Sequence, residues 1–378
     1  MPSLTVPQTP RYVPALPTKE NLQYADLAII DLSKAATVEG RAELAVELRE
    51  ALTTKGFCYI INHGYTQVQN ERMFDIADIP MSGVPEDEKR AYTGDSKNTG
   101  IFQGYKPRQY WHIDAGVRDQ HEHYNCNRHV YSLMHPQALR PFLPDIDAFV
   151  RHNHHNILHK ICRLMALSLE LPEDTFVKLH DFDAPGVSYL RFMKYFPRSE
   201  EDEVQTKNVW MKGHTGCSTL CKCCFAHTVA DFGSITLLWS QPVAALQIQT
   251  KEGWRWVKHI ENALLMNIGD SMEFLTGGFY KATIHRVVQP PIDQRGCTRL
   301  SMIYFSFLND DVKLVPLMDS PVLQKVGVER KCEDDVAPTM KAWRVARISA
   351  YGASDLQKGK EPGIEEEVLN GIVVKHYN

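Results

Sequence analysis

Apolar and polar residues follow two different periods along this chain, and the change between them predicts where helices give way to strands. From Arg41 to Thr54 the apolar residues recur at helical spacing, and residues 136–180 repeat that spacing. From about Val187 to Phe307 the pattern changes to short alternating runs that are separated by Gly and Asn. We therefore expect a mainly β fold whose strands lie in the second half, with helices on either side.

Seven segments of the alternating region have the length and composition of strands. They are SYLRFMKYF, SITLLW, AALQIQT, WRWVKH, ALLMNIG, TIHRVVQ and TRLSMIYFSF. Seven or more short strands at this spacing are typical of an antiparallel barrel or a double-sheet jelly roll. Nearer the N-terminus, LAIIDLS and FCYIINHG enclose the first helical segment and predict a strand–helix–strand opening. Residues 94–130 are polar and aromatic, and within them GYKPRQYWH is predicted to be a loop.

These patterns predict one β core wrapped by helices, with no second separable domain. An extended, proline-punctuated arm (1–25) precedes an N-terminal helical and α/β region (26–180). The jelly-roll core is expected over 181–310, and a helical C-terminal extension with a charged tail over 311–378.

Composition and charge narrow the class of function. The 378 residues are 43% hydrophobic and 23% charged, as in ordinary globular proteins, and the formal net charge is -4. A negative chain is a poor match for a nucleic-acid binder, because phosphate binding normally needs a basic surface. The sequence contains no apolar run of about 18 residues and no secretory signal, so we expect a cytoplasmic protein with a small-molecule partner and no membrane contact.

The nine cysteines are too few and too scattered for a disulfide scaffold, and their number is odd. Most of them are expected to be small core residues in a reducing compartment. Four of them, Cys217, Cys221, Cys223 and Cys224, crowd together near His227. Structural zinc sites usually draw their ligands from two CxxC knuckles, and one short cluster does not supply two, so zinc is not favoured here.

Two histidines and an aspartate in the strand region have the identities that ferrous iron binds. They are His214 in GHT, Asp231 in DFGS and His285 in TIHRVV. Two imidazoles and one carboxylate on one face of an octahedron leave three positions open, which is the arrangement that Fe(II) oxygenases need. His227, four residues before Asp231, is a competing ligand, and an ordinary core role for His285 is the simplest alternative.

Arg299 and Ser301 add a candidate carboxylate site to this set. They are two residues apart on a predicted strand, so their side chains point to the same face. The planar guanidinium binds carboxylates through two parallel hydrogen bonds and keeps its charge at every physiological pH. We therefore expect this pair to hold an acidic co-substrate.

The same segments resemble the isopenicillin-N-synthase-like branch of the Fe(II)/2-oxoglutarate dioxygenases, from about residue 26 to residue 310. The resemblance is carried by AIIDLS, GFCYIINHG and FDIADIP in the N-terminal part, and by WRWVKH, LMNIGD and GGFYKATIHRVV in the core. It implies a double-stranded β-helix, the jelly roll of this family, and iron ligation by His214, Asp231 and His285. It also implies binding of 2-oxoglutarate by Arg299 and Ser301, with O2 as the second co-substrate.

The resemblance also implies an activity. Members of the family oxidise small organic molecules by hydroxylation, desaturation or ring chemistry, and PRSEEDE and NDDVKLVPL are similar to fungal members, many of which tailor secondary metabolites. An oxidase that uses iron and O2 without a keto acid is an alternative within enzymes. A catalytically impaired paralogue or a binding protein is an alternative of another class, because the family's His-x-Asp motif is interrupted.

The first departure from the family concerns a co-substrate contact. The family has Asn-x-Tyr before a proline, and this chain has Lys194-Tyr195-Phe196-Pro197 in its place. Lys194 or Tyr195 would have to replace the missing phenol, and we expect Tyr195 to be part of the 2-oxoglutarate site.

The second departure is the interruption of the His-x-Asp motif. The family has one residue between its histidine and aspartate, and sixteen separate His214 from Asp231 here. Residues i and i+2 of a strand share a face and are about 6.6 Å apart, which is how both reach one metal. Removal of Gly216–Ala230 would restore KGHTDFGSITLLWSQP and preserve the reading frame, and the flanking codons can supply intron boundaries. We hypothesise that residues 216–230 are an insertion or a retained intron.

Overall fold

The computed structural model describes residues 7–114, 116–214 and 231–350, together with strand residues 357–358, 364–369 and 372–377. For residues 97, 112, 114, 212–214 and those after 348, the description covers the backbone alone. The hypothesised insertion, the competing ligand His227 and the cysteine cluster therefore lie outside the described residues.

The described strands, in chain order, are β1 (Ile29–Asp31), β2 (Phe57–Ile61), β3 (Gly104–Lys106), β4 (His112–Asp114), β5 (Val117–Arg118), β6 (His121–Asn127), β7 (Tyr189–Tyr195), β8 (Val209–His214), β9 (Ile235–Trp239), β10 (Leu246–Thr250), β11 (Gly253–Trp256), β12 (Leu264–Ile268), β13 (His285–Val288), β14 (Arg299–Ser306), β15 (Gln357–Lys358), β16 (Ile364–Leu369) and β17 (Ile372–Tyr377). The described α-helices are α1 (Val38–Thr54), α2 (Gln67–Ser82), α3 (Glu86–Ala91), α4 (Ser96–Thr99), α5 (Leu143–Arg151), α6 (His159–Ser168), α7 (Thr175–Leu179), α8 (Glu200–Gln205), α9 (Asp270–Leu275), α10 (Pro321–Val326) and α11 (Met340–Ala350). Short 3-10 helices cover Leu32–Ala36, Val130–Ser132, Gln137–Phe142 and Ile292–Gln294, and a π-helical segment, His152–Leu158, joins α5 to α6.

Two sheets form the core. The larger has eight strands in the order β1-β2-β12-β9-β14-β7-β6-β3, and the smaller has four in the order β11-β10-β13-β8. Their facing sides share one apolar cluster that includes Tyr59 and Leu265 of the larger sheet and Ile248 and Val287 of the smaller one. The predicted jelly roll with flanking helices is confirmed, and each of the seven predicted segments contains a strand.

Helices cover the outer face of the larger sheet. Along β9 the side chains alternate, so that Leu237 and Trp239 face the helices while Thr236 and Leu238 face the smaller sheet. The indole N–H of Trp239 donates to Asn153 of the π-helical segment at 3.0 Å. This outer layer fixes the larger sheet, and hence the positions of the side chains on its inner face.

The predicted loop GYKPRQYWH is wrong in part, because its first three residues form β3 of the larger sheet, and the polar stretch 94–130 also contains β6, for which no strand was predicted. In β6 the residues His121, His123 and Asn125 lie opposite alternate residues of β7 and are buried. A strand with polar residues on its inner face lacks the apolar alternation that predicts strands.

The C-terminal part begins with helices, as predicted, and then adds strands that were not predicted. The strands β15, β16 and β17 form a separate sheet, in which Leu369 pairs with Ile372. In the sequence, Asn370 and Gly371 separate these two residues, and an Asn-Gly pair between two apolar runs is a strong hairpin signal. None of the described helices is long and apolar enough to cross a membrane.

Candidate active site

The inner face of the larger sheet brings the predicted carboxylate-binding residues together. Strands β14 and β7 are antiparallel, with Arg299 opposite Tyr195 and Ser301 opposite Met193. Alternation along β14 puts Arg299 and Ser301 on one side, and Nη1 of Arg299 donates to Oγ of Ser301 at 2.7 Å. Both side chains are buried. The pair is therefore preformed inside the core.

The buried guanidinium of Arg299 has a hydrogen-bond donor without a partner among the described residues. Its Nε atom is buried and has no hydrogen-bond partner among the described residues. Burial lowers the pKa of Arg299, and the charge is stabilised in part by the ring of Tyr195, whose centroid is 5.5 Å from the guanidinium carbon. A buried cation with unused donors is costly unless an anion binds it. The surroundings of Arg299 thus fit the carboxylate of a bound co-substrate.

Strand alternation also decides between the two substitutes for the family's phenol. Lys194 points out of the core, and its Nζ atom is 2.7 Å from Oδ1 of Asp78 on α2. Tyr195 points inward beside Arg299, and its hydroxyl contacts Sδ of Met211 at 3.8 Å. Burial raises the pKa of Tyr195 to about 12, so the phenol stays protonated and can donate. Of these two residues, only Tyr195 has its side chain on the inner face of the larger sheet, where Arg299 lies.

Asp231 and His285 face each other across the gap between the sheets. Oδ2 of Asp231 is 3.7 Å from Nε2 of His285. The same carboxylate oxygen accepts from Nδ2 of Asn267 at 2.8 Å and from Oγ1 of Thr236 at 3.1 Å. Nδ1 of His285 is 3.1 Å from the carbonyl oxygen of Thr283, which can only accept. Nδ1 therefore donates to Thr283, and Nε2 is the ring nitrogen that faces Asp231.

The backbone brings His214 to the same place. Strands β8 and β13 are antiparallel, and His214 lies directly opposite His285. Paired Cα atoms in such a ladder are about 4.5–5.5 Å apart. His214 and Asp231, on either side of the hypothesised insertion, thus both adjoin His285. The side chain of His214 is outside the described residues.

The two described side chains fit a ferrous ion. A carboxylate oxygen and an imidazole nitrogen are ligands that non-haem iron uses. Their 3.7 Å separation is less than two metal–ligand bonds of about 2.1 Å each, so one ion can contact both. Hydrogen bonds from Asn267 and to Thr283 orient them before any metal arrives.

Comparison with known proteins identifies the chemistry. The profile of the 2OG-Fe(II) oxygenase superfamily matches residues 189–307, and the profile described as non-haem dioxygenase in morphine synthesis, N-terminal, matches residues 27–143. The chain belongs to the 2OG-Fe(II) oxygenase superfamily. The presence of both matches is consistent with the isopenicillin-N-synthase-like branch.

Curated relatives and solved structures agree with this assignment. A 2-oxoglutarate-dependent dioxygenase of Monascus ruber, citB, is 27% identical over 292 residues, which are 72% of this chain and 80% of the relative. Jasmonate-induced oxygenase 4 of Arabidopsis thaliana is 26% identical over 325 residues, 82% of this chain and 83% of the relative. The crystal structure of a full-length Neurospora crassa protein in complex with alpha-KG superposes with a TM-score of 0.72 at 21% identity, covering 88% of this chain and 100% of that one.

This oxygenase is therefore an oxidoreductase that uses Fe(II), 2-oxoglutarate and O2 to oxidise a small molecule. When bound, iron and the keto acid supply the oxidising power, and the protein supplies binding, orientation and a space without water. The impaired paralogue is not favoured, because the relatives across most of the chain are dioxygenases.

Sequence reasoning did not single out Asn267 and Thr236, the two residues that hold the Asp231 carboxylate. A signal was present for one of them. Asn267 lies in LMNIGD, where a polar residue interrupts an otherwise apolar strand. A buried amide in a central strand needs a partner, and here the partner is the candidate iron ligand.

Proposed function

We propose that this oxygenase binds Fe(II) through His214, Asp231 and His285 and orients 2-oxoglutarate through Arg299. The 3.7 Å approach of Asp231 to His285 carries the proposal. The buried guanidinium on the inner face of the adjacent strands, with its Nε lacking a described partner, supports it. The co-substrate would place its distal carboxylate on Arg299 and its keto-acid end on the metal.

Ser301 and Tyr195 complete the co-substrate site in this proposal. Oγ of Ser301 accepts from Nη1 of Arg299, so the serine's own proton is available to the same carboxylate. The protonated phenol of Tyr195, in register with Arg299, is the second hydroxyl donor. These donors tie the carboxylate to one orientation, which directs the other end of the molecule towards the metal.

The net charge, the resemblance to fungal members and the buried cysteines support a substrate class, a metabolic role and a compartment. We propose a small organic substrate instead of a nucleic acid, which the net charge of -4 supports. The resemblance to fungal members supports a role in secondary metabolism. Cys58, Cys126 and Cys162 are buried as free thiols, which supports a reducing, cytoplasmic setting.

Succinate formation by the purified full-length chain tests the proposal. With Fe(II), 2-oxoglutarate and O2 present, we expect slow succinate release even without substrate, and none when either iron or 2-oxoglutarate is omitted. His285→Ala should abolish release, while His155→Ala, an exposed histidine on the π-helical segment, should not. Iron-dependent O2 uptake that continues unchanged without 2-oxoglutarate would instead establish the oxidase alternative.

A further inference from the structure

Arg191 is a second buried cation on the inner face of the larger sheet, and the proposed metal and co-substrate sites do not use it. It lies on β7 opposite Ile303 of β14 and Asn125 of β6. Its exposed fraction is 9%. Nε donates to Oδ1 of Asn125 at 2.8 Å, and Nη2 is 3.4 Å from the hydroxyl of Tyr189. These neutral partners orient the guanidinium without compensating its charge.

Aromatic rings surround this guanidinium on the side towards Asp231. Its carbon is 5.1 Å from the ring centroid of Phe305, 5.4 Å from that of Tyr189 and 5.5 Å from that of Phe102. The ring of Phe102 also contacts Phe232, with centroids 6.0 Å apart, and Phe232 directly follows Asp231. We call Phe102, Tyr189, Phe232 and Phe305 the aromatic wall. It connects Arg191 to the candidate iron ligand through apolar surface.

No carboxylate among the described residues is within ion-pair distance of Arg191. Nη1 of Arg191 has no hydrogen-bond partner among the described residues, whereas Nε and Nη2 have the neutral partners given above. Burial, and after it the charge of Arg191, lowers the pKa of the neighbouring Lys106 to about 6, although its Nζ contacts the carboxylate of Asp119. Burial, and after it the positive charge of Arg191, also holds the pKa of His123 well below its usual value, so that ring is neutral. The potential around Arg191 is therefore positive.

In the proposed site, the charges of the metal, the co-substrate and their ligands cancel one another and leave none to balance the positive charge of Arg191. This charge count rests on the proposed function. Bound Fe(II), doubly charged 2-oxoglutarate, Asp231 and Arg299 together have no net formal charge. Arg191 then adds one buried positive charge that no described side chain neutralises. An uncompensated buried charge is costly, and a binding site retains one when the ligand brings the opposite charge.

We propose that Arg191 binds the carboxylate of a small organic acid whose aromatic or otherwise apolar body lies along the aromatic wall. Thr236, which donates to Asp231, is two strands from Tyr189 through Phe305. Two strand spacings are about 10 Å. The substrate is thus a flat or elongated acid, with its carboxylate on Arg191 and a C–H bond several bonds away directed to the iron site.

Paired acids and amides test this inference in the full-length chain loaded with Mn(II) and 2-oxoglutarate, which holds the site without turnover. The probes are phenylacetate, cinnamate and octanoate, each compared by calorimetry with its neutral amide. We expect at least one acid to bind 10-fold or more tightly than its amide. Arg191→Met should remove that preference, and Arg191→Lys should keep part of it. Lys194→Met, a cation on the outer face of the same strand, is the matched control and should keep it fully.

The outcomes separate this inference from the proposed function. If 2-oxoglutarate binds but no acid is preferred over its amide, or if Arg191→Met keeps the preference, the inference is overturned while the proposed function stands. Equal binding of a neutral ring such as thymine would point to hydrogen bonding without charge and would also overturn it. Failure of 2-oxoglutarate to bind with Mn(II) would contradict the proposed function itself. Melting temperatures of the variants show that loss of binding is not loss of folding.

Discussion

Oδ2 of Asp231 is 3.7 Å from Nε2 of His285, and the two residues adjoin opposite sheets of the jelly roll. Asp231 precedes β9 of the larger sheet, and its main-chain oxygen accepts from the N–H of Asp270 at 2.9 Å. His285 begins β13 of the smaller sheet. A metal ion bound between them would connect the two sheets. Under the proposed ligation, metal binding and fold stability are therefore coupled.

Metal should stabilise the folded chain through this bridge. At a free Fe(II) or Mn(II) concentration of 100 times the Kd, linkage predicts about 2.7 kcal/mol of stabilisation. The melting temperature, measured anaerobically with and without metal, should rise by several degrees and fall again on chelation. Asp231→Ala and His285→Ala should show no metal-dependent shift, whereas His155→Ala should respond as the unaltered chain does. A full shift in His285→Ala would contradict the ligand assignment.

Asn267 should tune metal affinity without touching the metal. Its Nδ2 donates to Oδ2 of Asp231 at 2.8 Å and holds the carboxylate towards His285. Loss of such an outer hydrogen bond typically weakens metal binding about 10–100-fold. Asn267→Ala should show this loss in an anaerobic Fe(II) titration. Thr236→Val, which removes the longer 3.1 Å hydrogen bond to the same oxygen, should cost less. Unchanged affinity in Asn267→Ala would show that Asp231 is held by other contacts.

Arg299 should contribute more to 2-oxoglutarate affinity than Ser301 does, because Arg299 is a buried charge and Ser301 is a neutral hydroxyl. Arg299→Met leaves a carboxylate without its cation, and such losses in buried pairs cost about 2–5 kcal/mol, or at least about 30-fold in affinity. Ser301→Ala removes a neutral hydrogen bond worth about 1 kcal/mol, so its effect should be about five-fold. The Kd for 2-oxoglutarate, measured with Mn(II), checks both values. Equal effects of the two substitutions would mean that the guanidinium does not pair with the co-substrate.

The apolar pattern predicted the strands with one polar and one apolar face, or with two apolar faces, and missed β6. In β6 the inner residues His121 and His123 are polar and buried, so the strand lacked its usual signal. Among the strands of the candidate site, those that carry Tyr195, His285 and Arg299 were predicted, whereas β8, which ends at His214, was not among the predicted segments.

Strand pairing supplied what sequence spacing could not. Phe196 separates Tyr195 from Pro197, so counting back from the proline leaves the inward residue ambiguous, whereas the pairing of Tyr195 with Arg299 assigns it directly. Similarly, sixteen residues separate His214 from Asp231 in sequence, and the ladder between β8 and β13 still places His214 beside His285. Long-range pairing is not encoded in any short window of sequence, which explains why these relationships required the structure.

The buried ring of His180 should make stability fall in mild acid. Burial lowers the pKa of His180 from 6.5 to about 4, because the charged ring would lose its hydration in the core, and the carbonyl oxygen of Phe176, 2.7 Å from Nδ1, offsets only part of that cost. Below pH 6.5 the unfolded chain takes up a proton that the folded chain does not, so this contribution is intact above pH 6.5 and is lost as the pH falls towards 4.

Urea unfolding at pH 7 and pH 5 measures this loss. The difference attributable to His180 should be about 2 kcal/mol. His180→Gln, which retains hydrogen-bonding groups but does not titrate, should reduce the pH dependence by about that amount. An unchanged slope in the variant would assign the acid sensitivity to other buried histidines, such as His154, whose pKa burial lowers to about 2.

Deletion of residues 216–230 should preserve or improve metal binding. The deletion leaves His214-Thr215-Asp231, in which the two ligands are i and i+2 on a strand and about 6.6 Å apart. In the full chain the same two residues already adjoin His285, so the shorter connection suits the existing geometry. It also removes a loop-closure cost of about 2–3 kcal/mol. Fe(II) affinity should be measured by titration for the full chain, for the deletion variant and for a control in which fifteen Gly and Ser residues replace 216–230. The control separates the effect of the segment's length on Fe(II) affinity from the effect of its composition.

Sequencing the messenger RNA tests the retained-intron hypothesis. The hypothesis fails if the mature message contains the codons for residues 216–230.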